Sequence, residues 1–239
     1  MKSLFRCLLT VLFLTIFGLQ AQQNFINVPS SEVTKQGKFF LQQQINFNGI
    51  IQANSTIDYG FGKGFEAGFN ILGLNYNEKA KSFFNNDTNF KDPYNPLIAF
   101  NALKQFKLSD NSNICIGGQL GANFRNGVKT REAGIAYLNF SRKDLFGENS
   151  QLVFGLYYNS RHYGGQGNRL GIWSGLQVPI TKKIYGVVES IIGSNAISYT
   201  TIAGMYFAKK SLPLTLGLQI PNASRNAYSI VFEITYIPQ

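Results

Sequence analysis

From Lys38 to the end of the chain, apolar and polar residues alternate with a period of two, in segment after segment bounded by Gly, Asn, Asp, Ser or Pro. A period of two sends successive side chains to opposite faces, so it commits the chain to strands with one greasy and one polar side. Twelve such segments can be read. They run from about Lys38 to Asn48, Ile50 to Phe61, Phe65 to Ile71, Pro96 to Leu108, Asn113 to Phe124, Ala133 to Ser141, Gln151 to Ser160, Arg169 to Val178, Ile184 to Gly193, Ile197 to Ala208, Leu212 to Ile220 and Asn226 to Ile237. The eleventh alternates without error, Leu212, Leu214, Leu216, Leu218 and Ile220 against Pro213, Thr215, Gly217 and Gln219. In the tenth both sets are mixed, and its faces cannot be assigned from the pattern.

Alternation alone does not separate a soluble sandwich from a lipid-facing barrel. Three features favour the barrel. The segments are about ten to twelve residues long, the length a tilted strand needs to cross roughly 25 Å of hydrocarbon. The polar face is rich in amides, with 24 Asn and 15 Gln in the chain, groups that suit an enclosed wet interior without strong charge repulsion. Counting from a periplasmic N-terminus, the parity of an even-stranded barrel also puts the longest connection outside, although the periplasmic Arg142 to Ser150 connection is long. Gly62 to Gly64, Ser109 to Ser112, Arg142 to Ser150, Pro179 to Lys183 and Lys209 to Ser211 fall on the periplasmic side, and the longest, Asn77 to Asn95, falls outside.

The first residues carry Lys2 and Arg6 ahead of an apolar stretch from Cys7 to Phe17, then a small Ala21. This reads as a cleaved secretory signal over 1–21. Residues 22–37 form an N-terminal segment on the periplasmic side that could equally fold into the lumen, and 38–239 form the barrel. Removing Lys2 and Arg6 from the 22 basic residues leaves 20 against 12 acidic, a charge of +8. Cys115 is then a lone thiol, so the exported fold must hold without an internal disulfide. A mean hydropathy of -0.06, with no apolar run of helical membrane-span length beyond the N-terminus, excludes a bundle of membrane helices.

With its export signal, twelve alternating strands and inside-polar pattern, the chain resembles the small outer-membrane β-barrel proteins of Gram-negative bacteria, over about residues 38 to 237. The resemblance implies an all-β, closed antiparallel up-and-down transmembrane barrel, acting as a narrow pore for small polar or cationic solutes. It also implies outer-membrane lipids and the insertion machinery as partners. The chain departs from such proteins in finishing Tyr236-Ile237-Pro238-Gln239 rather than on an aromatic residue. A soluble secreted β-protein with binding loops is the alternative.

The expected lumen lining includes Asp58, Glu66, Lys107, Gln119, Tyr157, Trp173, Glu189 and Glu233, with inner-face glycines such as Gly117, Gly171 and Gly175 leaving room for rings. Asp58 and Glu66 straddle the Gly62 turn as a like-charge pair. Two readings stand: an acidic constriction that selects cations, or an internal salt-bridge network with Lys107. Aromatic strand ends, among them Phe39, Phe47, Tyr59, Phe61, Phe65, Phe124, Tyr158 and Tyr236, suit interfacial girdles. No cofactor and no metal is called for, since His162 is the single histidine. Ser160 and His162 at the outer rim, with Asn168 nearby, offer a rim lipase as a minor alternative; the main expectation is not an enzyme. Basic residues such as Lys182, Lys183, Lys209 and Lys210 sit in turns, a pattern suited to lipid phosphates rather than nucleic acid.

Overall fold

The computed structural model describes residues 24–76, 81, 95–124 and 130–238. The signal-peptide assignment and most of the long Asn77 to Asn95 connection lie outside the described residues. Twelve strands follow one another: β1 (Phe39–Phe47), β2 (Ile51–Gly62), β3 (Phe65–Asn75), β4 (Leu97–Ser109), β5 (Ser112–Asn123), β6 (Glu132–Lys143), β7 (Gln151–Asn159), β8 (Leu170–Pro179), β9 (Ile184–Ile192), β10 (Tyr199–Lys209), β11 (Leu212–Pro221) and β12 (Ser229–Tyr236). Each pairs antiparallel with its neighbours, and β1 closes on β12 from Leu41↔Tyr236 to Phe47↔Ile230, so no edge remains open. Closure removes the unpaired sheet edges, the condition for strands to sit in hydrocarbon. Their lengths of 8 to 13 residues match a tilted crossing.

The two faces separate as the alternation requires. Outward side chains are exposed and greasy: Leu120 at 67%, Leu216 at 60% and Phe69 at 59% would each be costly in water as part of one continuous band. Phe39, Tyr59, Phe61 and Phe65 form a contiguous aromatic run at the end of the Gly62 turn, with successive ring centroids 4.9, 5.0 and 5.6 Å apart. Inward positions are buried: Gln42, Asn70, Asn139, Thr201, Thr215 and Glu233 all lie within the barrel.

The lumen is filled rather than open. Residues 24–34 run inside the barrel as an irregular strap, and residues 35–38 emerge exposed ahead of β1. Phe25 and Val28 are fully buried and pack into one cluster with Tyr157, Trp173, Met205 and Val231. The strap therefore explains β10. Its inward residues Ala203, Met205 and Phe207 are apolar because they meet strap and core, while outward Ile202 and Tyr206 are apolar because they are on the exposed face. Two greasy faces erase the alternation.

The outer end is capped by a single helical turn, α1 (Arg161–Gly164), where the pattern gave only a loop. Ser160 caps it by accepting from Tyr163 N–H, and Ala196 N–H donates to the Gly164 carbonyl, tying the β7–β8 and β9–β10 connections together. Asn226 Nδ2 reaches the carbonyls of Asn195, Ala196 and Ser198 from the β11–β12 connection. At the other end, the Arg142 to Ser150 connection folds on itself: Asp144 N–H donates to the Ser150 carbonyl, and Asn149 N–H to Asp144 Oδ1.

Candidate functional site

The residues with chemistry to offer converge on the strap. Glu189, on the inward face of β9, receives three consecutive backbone N–H groups: Ile26 at 3.2 Å and Val28 at 3.0 Å on Oε2, and Asn27 at 3.1 and 3.0 Å on both oxygens. Asn27 Nδ2 (2.7 Å) and Thr201 Oγ1 (3.1 Å) donate to Oε1 as well. Successive N–H groups converging on one anion make a nest, and charge-assisted bonds of this kind are about twice as strong as neutral ones. The nest exists because the strap turns here, with Phe25 N–H bonded to the Val28 carbonyl.

Further along, the strap's carbonyls meet side-chain donors. Asn139 Nδ2 donates to Pro29 O at 2.9 Å, Gln151 Nε2 to Ser30 O at 2.9 Å, and Gln105 Nε2 to Ser31 O at 2.6 Å. Thr34 N–H donates to Glu66 Oε2 at 2.6 Å. Cys115 Sγ lies 3.3 Å from Ser31 Oγ. The inner amides are thus donors to a piece of the chain itself. At the exit, Glu32 and Lys143 pair at 3.0 Å, half-buried.

Two glycines fit the strap by having no side chain. A Cβ on Gly60 would stand 2.3 Å from the carbonyl oxygens of Thr34 and Lys35, and one on Gly175 would stand 2.5 Å from the Phe25 ring. Elsewhere Tyr157 stacks on Trp173 at 5.0 Å, and Trp173 Nε1 donates to Asn139 Oδ1 at 2.6 Å. Tyr163 reaches inward from α1 to donate to Gln119 Oε1 at 2.9 Å, and burial pushes its phenol well above the usual range.

Of the lining residues expected from sequence, Asp58, Glu66, Tyr157, Trp173, Glu189 and Glu233 are buried inside the barrel, and Gln119 points inward beneath α1. Asp58 and Glu66 are diagonal neighbours, opposite Gly68 and Gly60 respectively. Lys107 is the exception. It has inward parity but stands at the end of β4, exposed, paired at 2.7 Å with Asp110, whose carboxyl it holds below the ordinary range. The salt-bridge network expected between Lys107 and the Asp58–Glu66 pair is therefore not formed, because alternation reports the face of a residue and not its height in the barrel. Among the described residues the buried charged side chains are Asp58, Glu66, Glu189 and Glu233, with no buried Lys or Arg.

The rim residues are held apart in purpose. Ser160 Oγ accepts from Gly134 N–H at 3.0 Å and from Tyr163 N–H at 3.3 Å, His162 Nδ1 faces the Glu132 carbonyl at 3.0 Å, and Asn168 Oδ1 accepts from Ser194. A groove of about 570 Å³ on the outward face, walled by Phe100, Leu120 and Tyr158 over Gly118 and Gly134, touches Ser160 at its end. The strap contacts were missed from sequence because the segment has no periodicity; the one signal available was a Glu189 set among apolar inward neighbours on β9.

No protein-family model and no curated protein matches the chain. Solved structures do. The chain is similar to a KdgM porin (TM-score 0.57) and to a KdgM porin in complex with disordered oligogalacturonate (TM-score 0.56). Each is 10% identical, and the match covers 84% of this chain and 99% of the other. The shared property is the closed outer-membrane-type barrel.

Proposed function

We propose that this protein is an outer-membrane barrel serving as a narrow channel for small polar or cationic solutes, and that it catalyses no reaction. The observation that carries the reading is the charge of the interior: among the described residues, four buried carboxylates and no buried Lys or Arg, inside a barrel whose exterior is a greasy band. Like-charged walls in a confined low-dielectric space favour counter-ions and oppose co-ions. One similar porin is known with oligogalacturonate, a carboxylate-bearing sugar chain. The acidic interior here points to solutes of the opposite charge. Basic side chains at the two ends, such as Lys63, Lys104, Lys182 and Arg225, suit contact with lipid phosphates.

The test is recording from planar bilayers across a salt gradient, using the refolded full chain and its Phe25→Ala variant. Conductance steps that reverse on the cation side are expected. Silence from both proteins, while each migrates as a folded, heat-modifiable barrel, would leave the barrel without a channel role.

A further inference from the structure

The strap makes contacts unlike those that hold the barrel. Every strand is fixed by a ladder to two neighbours, whereas residues 24–34 are bound through side chains: carboxylates at Glu189 and Glu66, amides at Gln105, Asn139 and Gln151, and the amide pair Asn24–Gln42 at 3.3 Å. Each of these can exchange its partner for water without parting a strand pair. The apolar anchors are Phe25, Ile26 and Val28. The strap joins the barrel at Lys38, beside Gly60, at the end of the barrel where β1 begins.

The donors in the strap stand where a cationic solute would stand. At Glu189 three backbone N–H groups and an amide N–H surround one carboxylate, the same hydrogen-bond demand that an ammonium or guanidinium group supplies. At Glu66 the Thr34 N–H plays that part, and Asp58 beside it is met by the Asn101 side chain with its Oδ1 left over. Buried carboxylates without basic partners are costly unless donors surround them, so the strap satisfies groups that the empty lumen would expose to water and cations.

We propose that residues 24–34 are a releasable internal gate, which closes the lumen by occupying the carboxylate sites that cationic solutes would use when it leaves toward the end where β1 begins. This rests on the channel reading above and adds its regulation and solute class. Cys115 offers the lock. Ser31→Cys in the full chain would set two thiols facing each other where oxygen and sulfur now lie 3.3 Å apart. Single-channel recordings of this variant, oxidised and then reduced in the same bilayer, are compared with those of Glu189→Gln, which keeps an acceptor but loses the charge.

The oxidised protein should stay closed. Its reduced form and Glu189→Gln should open at least about tenfold more often, with reversal on the cation side and block by millimolar guanidinium. Openings equal in the oxidised and reduced states would overturn the gate while leaving the channel. Openings that reverse on the anion side would overturn the solute class. Silence in all three states, with folded barrels in the membrane, would remove the channel reading itself.

Discussion

Glu189 and Val28 are 161 positions apart in sequence, yet the carboxylate of one organises the backbone of the other. Removing it strands several buried N–H groups at once, and each costs roughly 1–3 kcal/mol if left unpaired. Glu189→Ala should therefore destabilise the strap by about 3 kcal/mol, seen as cleavage of residues 24–37 by added protease while the barrel survives. Gly60→Ala should act on the same segment from the other end, because its Cβ would lie 2.3 Å from strap carbonyls and that overpacking costs roughly 1–3 kcal/mol. Cys115, the only cysteine among the described residues and fully buried under Ser31, should report both events. A water-soluble maleimide should leave it unmodified in the native protein and label it in either variant. At this scale the sequence was informative about the carboxylates and silent about their partners. Glu66 and Glu189 could be placed inward by parity, but the N–H groups they hold belong to a segment without a pattern. Lys107 shows the converse, a correct parity with the wrong height.

Among the elements, β11 and β10 mark the limits of what alternation tells. The Leu212 to Ile220 run reads cleanly because its outward side chains are all leucine or isoleucine, while its inward positions hold Pro213, Thr215, Gly217 and Gln219, none of them a large aliphatic side chain. β10 could not be read because Ala203, Met205 and Phe207 point inward onto an apolar core while Ile202 and Tyr206 point outward, so both faces are greasy. Helix α1 is four residues long, too short to show a period. The faces of β11 give a direct comparison. Leu216→Arg, at mid-strand on the outward side, should cost about 2–4 kcal/mol in unfolding from lipid vesicles. Thr215→Ala, its inward neighbour, should cost less than about 1 kcal/mol.

For the molecule as a whole, strand number, closure and the in–out assignment were legible, because a closed barrel is built almost entirely from local hairpins whose registers follow the period of two. Whether the lumen was open was not legible, since occupancy depends on contacts between the first residues and strands throughout the chain. Unchanged phospholipid turnover in Ser160→Ala and His162→Ala is expected, as Ser160 caps α1 and His162 faces the Glu132 carbonyl.

The strap also sets a timetable for assembly. Residues 24–34 have their binding partners on β3, β4, β6, β7 and β9, so the strap cannot be fully held until most of the later hairpins exist. The cylinder is thus completed around residues 24–34. Chains cut short before β9 would keep the strap's partners on β3, β4, β6 and β7 but lose Glu189, and with it the one carboxylate that gathers the backbone N–H groups of Ile26, Asn27 and Val28.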